Sequence, residues 1–448
     1  MDNNVYRILL GSSASGGVDP QIIRTSWTAQ ELYKYDDSTS IYLGYNESYI
    51  GNVISMNAGS ASINWARRVY TNPNGSGGFS AIGKIFSSSN LSNLYAQSGD
   101  QWGGSGNKVF TISSSTGSVS SSDTLPINPY YINDNYYVSA TSYYDTGRND
   151  AYPSTTVYLN NRSNNTGWYS YNLAGRGTQS WVINDLIIHG SYVYLSATWG
   201  NDGVPDSYNA THYGRYSLSN GSYTLISATD IGPMKFLGVS SDNNYFYTYI
   251  PVGWGSGYAY SGVFTGGRVA KIQISNGSLV WGKHLSWTYS GGYSGAGTKH
   301  AIFDPETEDT YVLTHFRVSN NDGGWVPIWK VNSSGNTEFV RQISSNSPPT
   351  RIAVDADNMY LLGSNSNYDN GYGPGAIYIF PKDGTLTGTY GATTYSDVTS
   401  TYAYSSFSIN SKSARGSSNT LGSSTTSSLS SSSNTNGSIS NGYVVPVS

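Results

Sequence analysis

Two series of residues interleave along this chain, and together they leave few folds open. Tyrosines inside short β-type runs recur at Tyr42, Tyr95, Tyr137, Tyr194, Tyr247, Tyr311 and Tyr360. Glycines closing a tight polar turn recur at Gly59, Gly117, Gly167, Gly221, Gly277, Gly335 and Gly384. One tyrosine strand precedes one glycine turn, seven times, with spacings of 42 to 64 residues in the first series and 49 to 58 in the second. The clearest copy reads Arg351–Asp355, Asn358–Gly363, a Gly-rich loop over 364–375, Ala376–Phe380, the turn Lys382–Gly384 and a last strand Thr385–Tyr390. Alternating apolar and polar residues bounded by Asp-Gly signal a hairpin, because glycine tolerates the positive φ that such turns demand. A unit of about 50 residues with four short strands is the size of one propeller blade. The predicted fold class is therefore all-β: a seven-bladed β-propeller of four-stranded blades over residues 25–395, with an N-terminal arm over 1–24 and a Ser-rich C-terminal extension over 396–448. A sandwich would not need seven equivalent turns, and a solenoid would use much shorter repeats.

Composition narrows the function classes. Only 11% of the 448 residues are charged and the net charge is -4, so the basic patch expected of a nucleic-acid binder is missing. An aromatic content of 14% is too high for a disordered chain. No apolar run approaches the roughly 18 residues of a membrane span, so no membrane insertion is expected. The start Met1-Asp2-Asn3-Asn4 lacks the features of a secretory signal, and zero Cys excludes disulfides and thiolate metal sites.

Alternate loops of a propeller collect on one face, and in this sequence they are long and aromatic: Trp102, Tyr143, Tyr144, Trp199, Trp254, Tyr258, Tyr260, Trp325, Tyr368 and Tyr372. Flat rings beside Asn, Asp and Ser suit sugars, whose C–H faces stack and whose hydroxyls need paired donors and acceptors. The same palette makes adaptable protein-binding surfaces, or simply packs beneath long loops. Asp145, Asp202, Asp322 and Asp369 lie in Asp/Asn/Gly clusters that are weak Ca²⁺ candidates; Asx-turns account for them without a metal. No cofactor is expected. The five histidines, His189, His212, His284, His300 and His315, show no metal-ligand spacing. The acidic run Asp304–Asp309 reads as a solvated turn. Two acids from separate blades facing each other, as a glycosidase needs, would make a polysaccharide-cleaving enzyme. The residues themselves favour a non-enzyme.

The ends differ from the body. Val5–Leu10 is strand-like and either latches the ring as an outer strand or docks elsewhere. From Ser411 to Ser440, 14 of 30 residues are Ser, a composition that cannot form its own core. Segments ordered only by neighbours, through strand addition, are typical of subunits of large assemblies.

Trp329-Lys330-Val331-Asn332-Ser333-Ser334-Gly335, and Val269-Ala270-Lys271-Ile272 through Asn276-Gly277 to Trp281, resemble a bacterial and phage β-propeller repeat in which Lys, a polar turn with Gly, and Trp recur. In style the whole chain resembles propeller-containing virion proteins of tailed marine or cyanobacterial bacteriophages. That resemblance implies a structural and adhesive role in the virion. Its implied partners are identical subunits or other virion proteins, and a host surface glycan. The alternatives are an extracellular lectin-like adhesin and a glycan depolymerase.

Overall fold

The structure is a computed structural model. It describes residues 6–9, 21–25, 29–34, 39–47, 50–69, 80–100, 107–125, 129–143, 154–163, 167–171, 180–200, 211–251, 263–288, 295–317, 326–345, 347–364, 375–390, 393–412 and 424–425. Among these residues the regular structure is β throughout, apart from one 3₁₀ turn at Thr399–Thr401. Seven antiparallel sheets form the seven four-stranded blades of a propeller. The first strands of the blades, Ala29–Tyr33, Ser80–Ser87, Pro129–Ile132, Ser180–His189, Lys235–Val239, Gly295–Phe303 and Pro349–Val354, touch one another in succession and so line the axis.

The repeat arithmetic explains itself in the packing. All seven strand tyrosines are buried, none more than 4% exposed, and each lies in its blade's second strand. Apolar side chains gather in seven clusters, one at each blade–blade interface. A buried hydroxyl must find a partner, and several of these tyrosines reach the next blade for it. Tyr95 donates to Asp134 at 2.7 Å and Tyr247 to Glu308 at 2.7 Å, while Tyr311 donates to the Lys382 carbonyl at 3.3 Å.

The Trp-and-Gly part of the repeat works the same way. Trp65 and Trp281 on rim strands donate their indole N–H to the turn carbonyls of Ser114 and Ser333 in the following blades, at 2.9 and 3.0 Å. The turn glycine beneath each indole leaves no room for a side chain: a Cβ on Gly335 would sit 2.8 Å from Trp281. Gly117, Gly221, Gly277, Gly335 and Gly384 all have positive φ. In blade one the left-handed residue is Ala61 rather than the expected Gly59, and Gly167 opens the rim strand Gly167–Tyr171.

The last strand of blade seven departs from expectation. Thr385–Tyr390 does not fill it. Gln21–Thr25, from the segment expected to be an arm, pairs with Gly375–Pro381 and completes the blade, and Tyr6–Leu9 adds a further strand outside it. The beginning and end of the ring are thus hydrogen-bonded in one sheet, which closes the circle without a bare seam. Gly388–Tyr390 turns outward instead and pairs with Thr393–Asp397 on the rim of blade six.

From there the chain runs backwards around the ring. Thr393–Asp397 pairs with the rim strand of blade six, Ala403–Ser406 with that of blade five, Ser411 bridges Thr229 of blade four, and Ser424–Thr425 pairs with blade three. Tyr395 stacks on Phe380 with ring centroids 4.1 Å apart, and Tyr402 packs against Phe316. The polar strap is therefore pinned by aromatic anchors as well as by backbone bonds.

The acidic run corrects another expectation. Asp304 and Asp309 are 3% and 6% exposed, and they pair with Lys382 and Lys330, each at 2.9 Å. Glu308 accepts from Tyr247 and Ser241 of blade five. Asp304, Glu308 and Asp309 thus make the segment an ionic node that joins three blades, while Glu306 stays exposed.

Candidate functional site

The axis gathers the chemistry. Every first strand carries one β-bulge, at Ala29/Glu31, Ile82/Lys84, Pro129/Tyr131, Ile183/Asp185, Phe236/Gly238, Thr298/His300 and Pro349/Arg351. An extra residue re-aims the side chain that follows it. In five blades that side chain is ionisable: Glu31, Lys84, Asp185, His300 and Arg351. Blade five supplies Lys235 just before its bulge, and blade three supplies Tyr130 within its own.

These groups form a ring of interactions. Arg351 Nε lies 3.4 Å from Glu31 Oε2, with 32% and 15% of the two side chains exposed. Asp185 accepts the Phe236 N–H at 2.8 Å. Lys84 Nζ reaches the Tyr130 carbonyl at 3.5 Å and lies 5.7 Å from the centre of the Tyr130 ring. Tyr130 donates its hydroxyl to the Ile183 carbonyl of blade four. His300 Nδ1 accepts the Ile352 N–H at 3.3 Å, which leaves the ring proton on Nε2.

Electrostatics follow from a narrow, protein-walled opening. Burial raises the Glu31 carboxyl, against the pull of Arg351, and raises Asp185 against Lys84 and Lys235. Lys84 is open to solvent yet surrounded by protein; desolvation lowers it, the nearby Lys235 charge lowers it further, and Asp185 opposes both. Burial, helped by the Arg351 charge, lowers His300 to about 3, so the imidazole is neutral at physiological pH. Tyr249, raised to about 12 by burial and then by Asp185, faces the same field. The arrangement offers cations, carboxylates, a neutral N–H and aromatic rings around one axis.

Most of the loop residues singled out from sequence cannot be placed relative to this ring. Trp102, Tyr144, Trp254, Tyr258, Tyr260, Trp325, Tyr368 and Tyr372, and the calcium candidates Asp145, Asp202, Asp322 and Asp369, lie outside the described residues. The backbone of Tyr143 ends a strand of blade three opposite Ser154, and that of Trp199 lies opposite Trp181 in blade four. Among the described residues no three His, Asp or Glu come together as a metal site. The axial ring itself went unread, although a signal exists. Glu31, Lys84, Asp185, Lys235, His300 and Arg351 stand 9 to 12 residues before the strand tyrosine of their blade, in a chain with few charges.

A second concavity opens on the rim between blades four and five. It measures about 610 Å³ and is lined by Ser227, Leu279, Trp281, Phe407 and Ile409 among others. Leu225, Val280 and Tyr404, the exposed large apolar side chains of the described residues, all belong to the rim strands and strap of these two blades.

Comparison with known proteins finds only distant likenesses. No family model matches the chain, and no curated protein does. Solved structures similar to it include a luciferin-regenerating enzyme (9% identity, 84% of this chain and 95% of that one, TM-score 0.38). A quinohemoprotein alcohol dehydrogenase from Comamonas testosteroni is similar at 8% identity over 84% and 76% of the two chains, TM-score 0.39. An ulvan lyase, a polysaccharide lyase, is similar at 13% identity over 85% and 94%, TM-score 0.34. Function is argued from the sites of this chain itself.

Proposed function

We propose that this chain is an adhesive and structural propeller subunit, displayed on the virion of a tailed bacteriophage, that holds a neighbouring subunit at its rim and a host surface glycan at its axis or loop face. The observation that carries this reading is the strap. The described residues 393–412 and 424–425, more than half of them Ser, Thr or Asn, run along the rim strands of blades six, five, four and three. Covered edges suit a protein crowded among copies of itself, where bare strands would pair indiscriminately. Exposed apolar side chains on the same rim strands and strap, Leu225, Val280 and Tyr404, are available to a neighbour there. At the axis, Glu31 and Asp185 are each engaged by cations or an N–H, an arrangement that suits holding a ligand.

The test is a glycan array probed with the full chain, followed by an assay for reducing ends on every glycan bound. Binding without release of reducing ends is the expected result. Release would make the chain a depolymerase, and an empty array would leave only the structural half of the reading.

A further inference from the structure

Lys84 and Lys235 stand out among the axial groups. Glu31 is answered by Arg351, but no carboxylate lies within ion-pair distance of either lysine among the described contacts. The two ammonium groups repel each other; Asp185, satisfied in part by the Phe236 N–H, acts on both, and Glu31, already paired with Arg351, acts more weakly on Lys84. Counting Arg351 with Glu31, three cations face two anions and leave a local excess of one, among protein walls where an unanswered charge is costly.

We propose that the axis binds the acidic group of a charged saccharide, held between Lys84 and Lys235. The inference deepens the adhesive reading and rests on it. The surrounding chemistry selects the class. A bare phosphate brings two charges and no hydroxyls, and Asp185 repels the second charge. A sugar carboxylate or sulfate ester brings one charge, which matches the local excess. Its hydroxyls meet what an anion alone cannot use, the Asp185 carboxylate as acceptor. Its C–H face meets the Tyr130 ring. Bulges place these side chains on rigid strands, so little ordering remains to be done when a ligand arrives.

The experiment is calorimetric titration of the full chain with glucuronate, glucose and inorganic sulfate. Glucuronate is expected to bind, glucose not to bind, and free sulfate to bind more weakly than glucuronate. Lys84→Met and Lys235→Met should each weaken glucuronate by about tenfold, the size expected for losing one charge-assisted contact. Lys108→Met, on the third strand of blade two, should leave it unchanged. Unfolding midpoints of the variants are measured alongside, and Lys84→Arg, which keeps the charge, should retain binding if Lys84→Met folds poorly. Equal binding of glucose and glucuronate, tighter binding of free sulfate, or indifference to both lysines would overturn the inference. If array glycans still bind to the two lysine variants as to the parent, the axial site fails while the adhesive reading survives. If the array is empty but glucuronate binds through the lysines, the reverse holds.

Discussion

At the scale of single residues, the ring is a set of buried polar groups whose partners come from the next blade. The strand tyrosines were legible because their spacing repeats, and burial of all seven follows from each filling the same interface position. The histidines were not legible, since isolation in sequence says nothing about burial. His212 is held down to about 4 and His300 to about 3, both chiefly by burial, from an ordinary value of 6.5. The fold keeps these rings neutral while the unfolded chain takes up protons, so their contribution is complete above pH 6.5 and is lost as the pH falls towards the folded values. The expected slope is about 1.4 kcal/mol per pH unit for each histidine. Glu31 and Asp185, raised by burial, bend the curve the other way as they protonate in the fold before they do so in the unfolded chain. Urea unfolding of the parent and of His300→Asn, whose amide oxygen can still accept the Ile352 N–H, separates the contributions. The variant should lose one histidine's worth of slope between about pH 6 and 4.5. Parallel curves would mean that His300 is protonated in the fold.

At the scale of elements, hairpins were readable wherever their signal was local. The polar turn ending in a left-handed glycine marks the end of the third strand in five blades, and Gly335 shows why. Its φ is +82°, and a Cβ would press on Trp281 at 2.8 Å. Gly190, in the turn between the first two strands of blade four, has a φ of +57° and nothing within 4 Å of a built Cβ. Gly190→Ala should therefore cost only the left-handed backbone conformation, about 1–2 kcal/mol. Gly335→Ala adds a clash with a ring held by its own hydrogen bond and should cost about 1–3 kcal/mol more. Chemical unfolding of both variants checks the order, and equal costs would mean that the indole yields freely. What local pattern could not show was pairing between distant segments. Thr385–Tyr390 has the alternation of a last strand, yet Gln21–Thr25 takes that place, because only a strand from the other end of the chain can close the circle. The bulged first strands were missed for a related reason: a charge within an apolar run looks like an interruption until seven bulges turn the following side chains to one axis.

At the scale of the whole molecule, closure and strap are two answers to the same problem. A propeller blade ends in a strand with one unpaired edge, and seven such edges face outward. The N-terminal strands answer it at blade seven, and the strap answers it at blades six, five, four and three, moving against the order in which the blades were laid down. Composition hid this. Ser and Thr give no apolar alternation, and the residues of Ala403–Ser406 are exposed even though their backbone is paired. The anchors, Tyr395 and Tyr402, were not singled out from sequence; they are 1% and 6% exposed within the clusters of the blade six–seven and five–six interfaces. If the strap serves the ring itself, a chain ending at residue 392 should lose two buried aromatics and uncover the rim strands of four blades at once. The unfolding free energy should then fall by about 3 kcal/mol or more, and light scattering should show larger species than the full chain at equal concentration, because freed edges pair with one another. A chain ending at residue 412 retains both anchors and the paired rims of blades six and five, so it should behave like the full protein in both measurements. An unchanged midpoint and size for the shorter chain would show that the ring is complete without its strap, and edge cover would then no longer support the display reading.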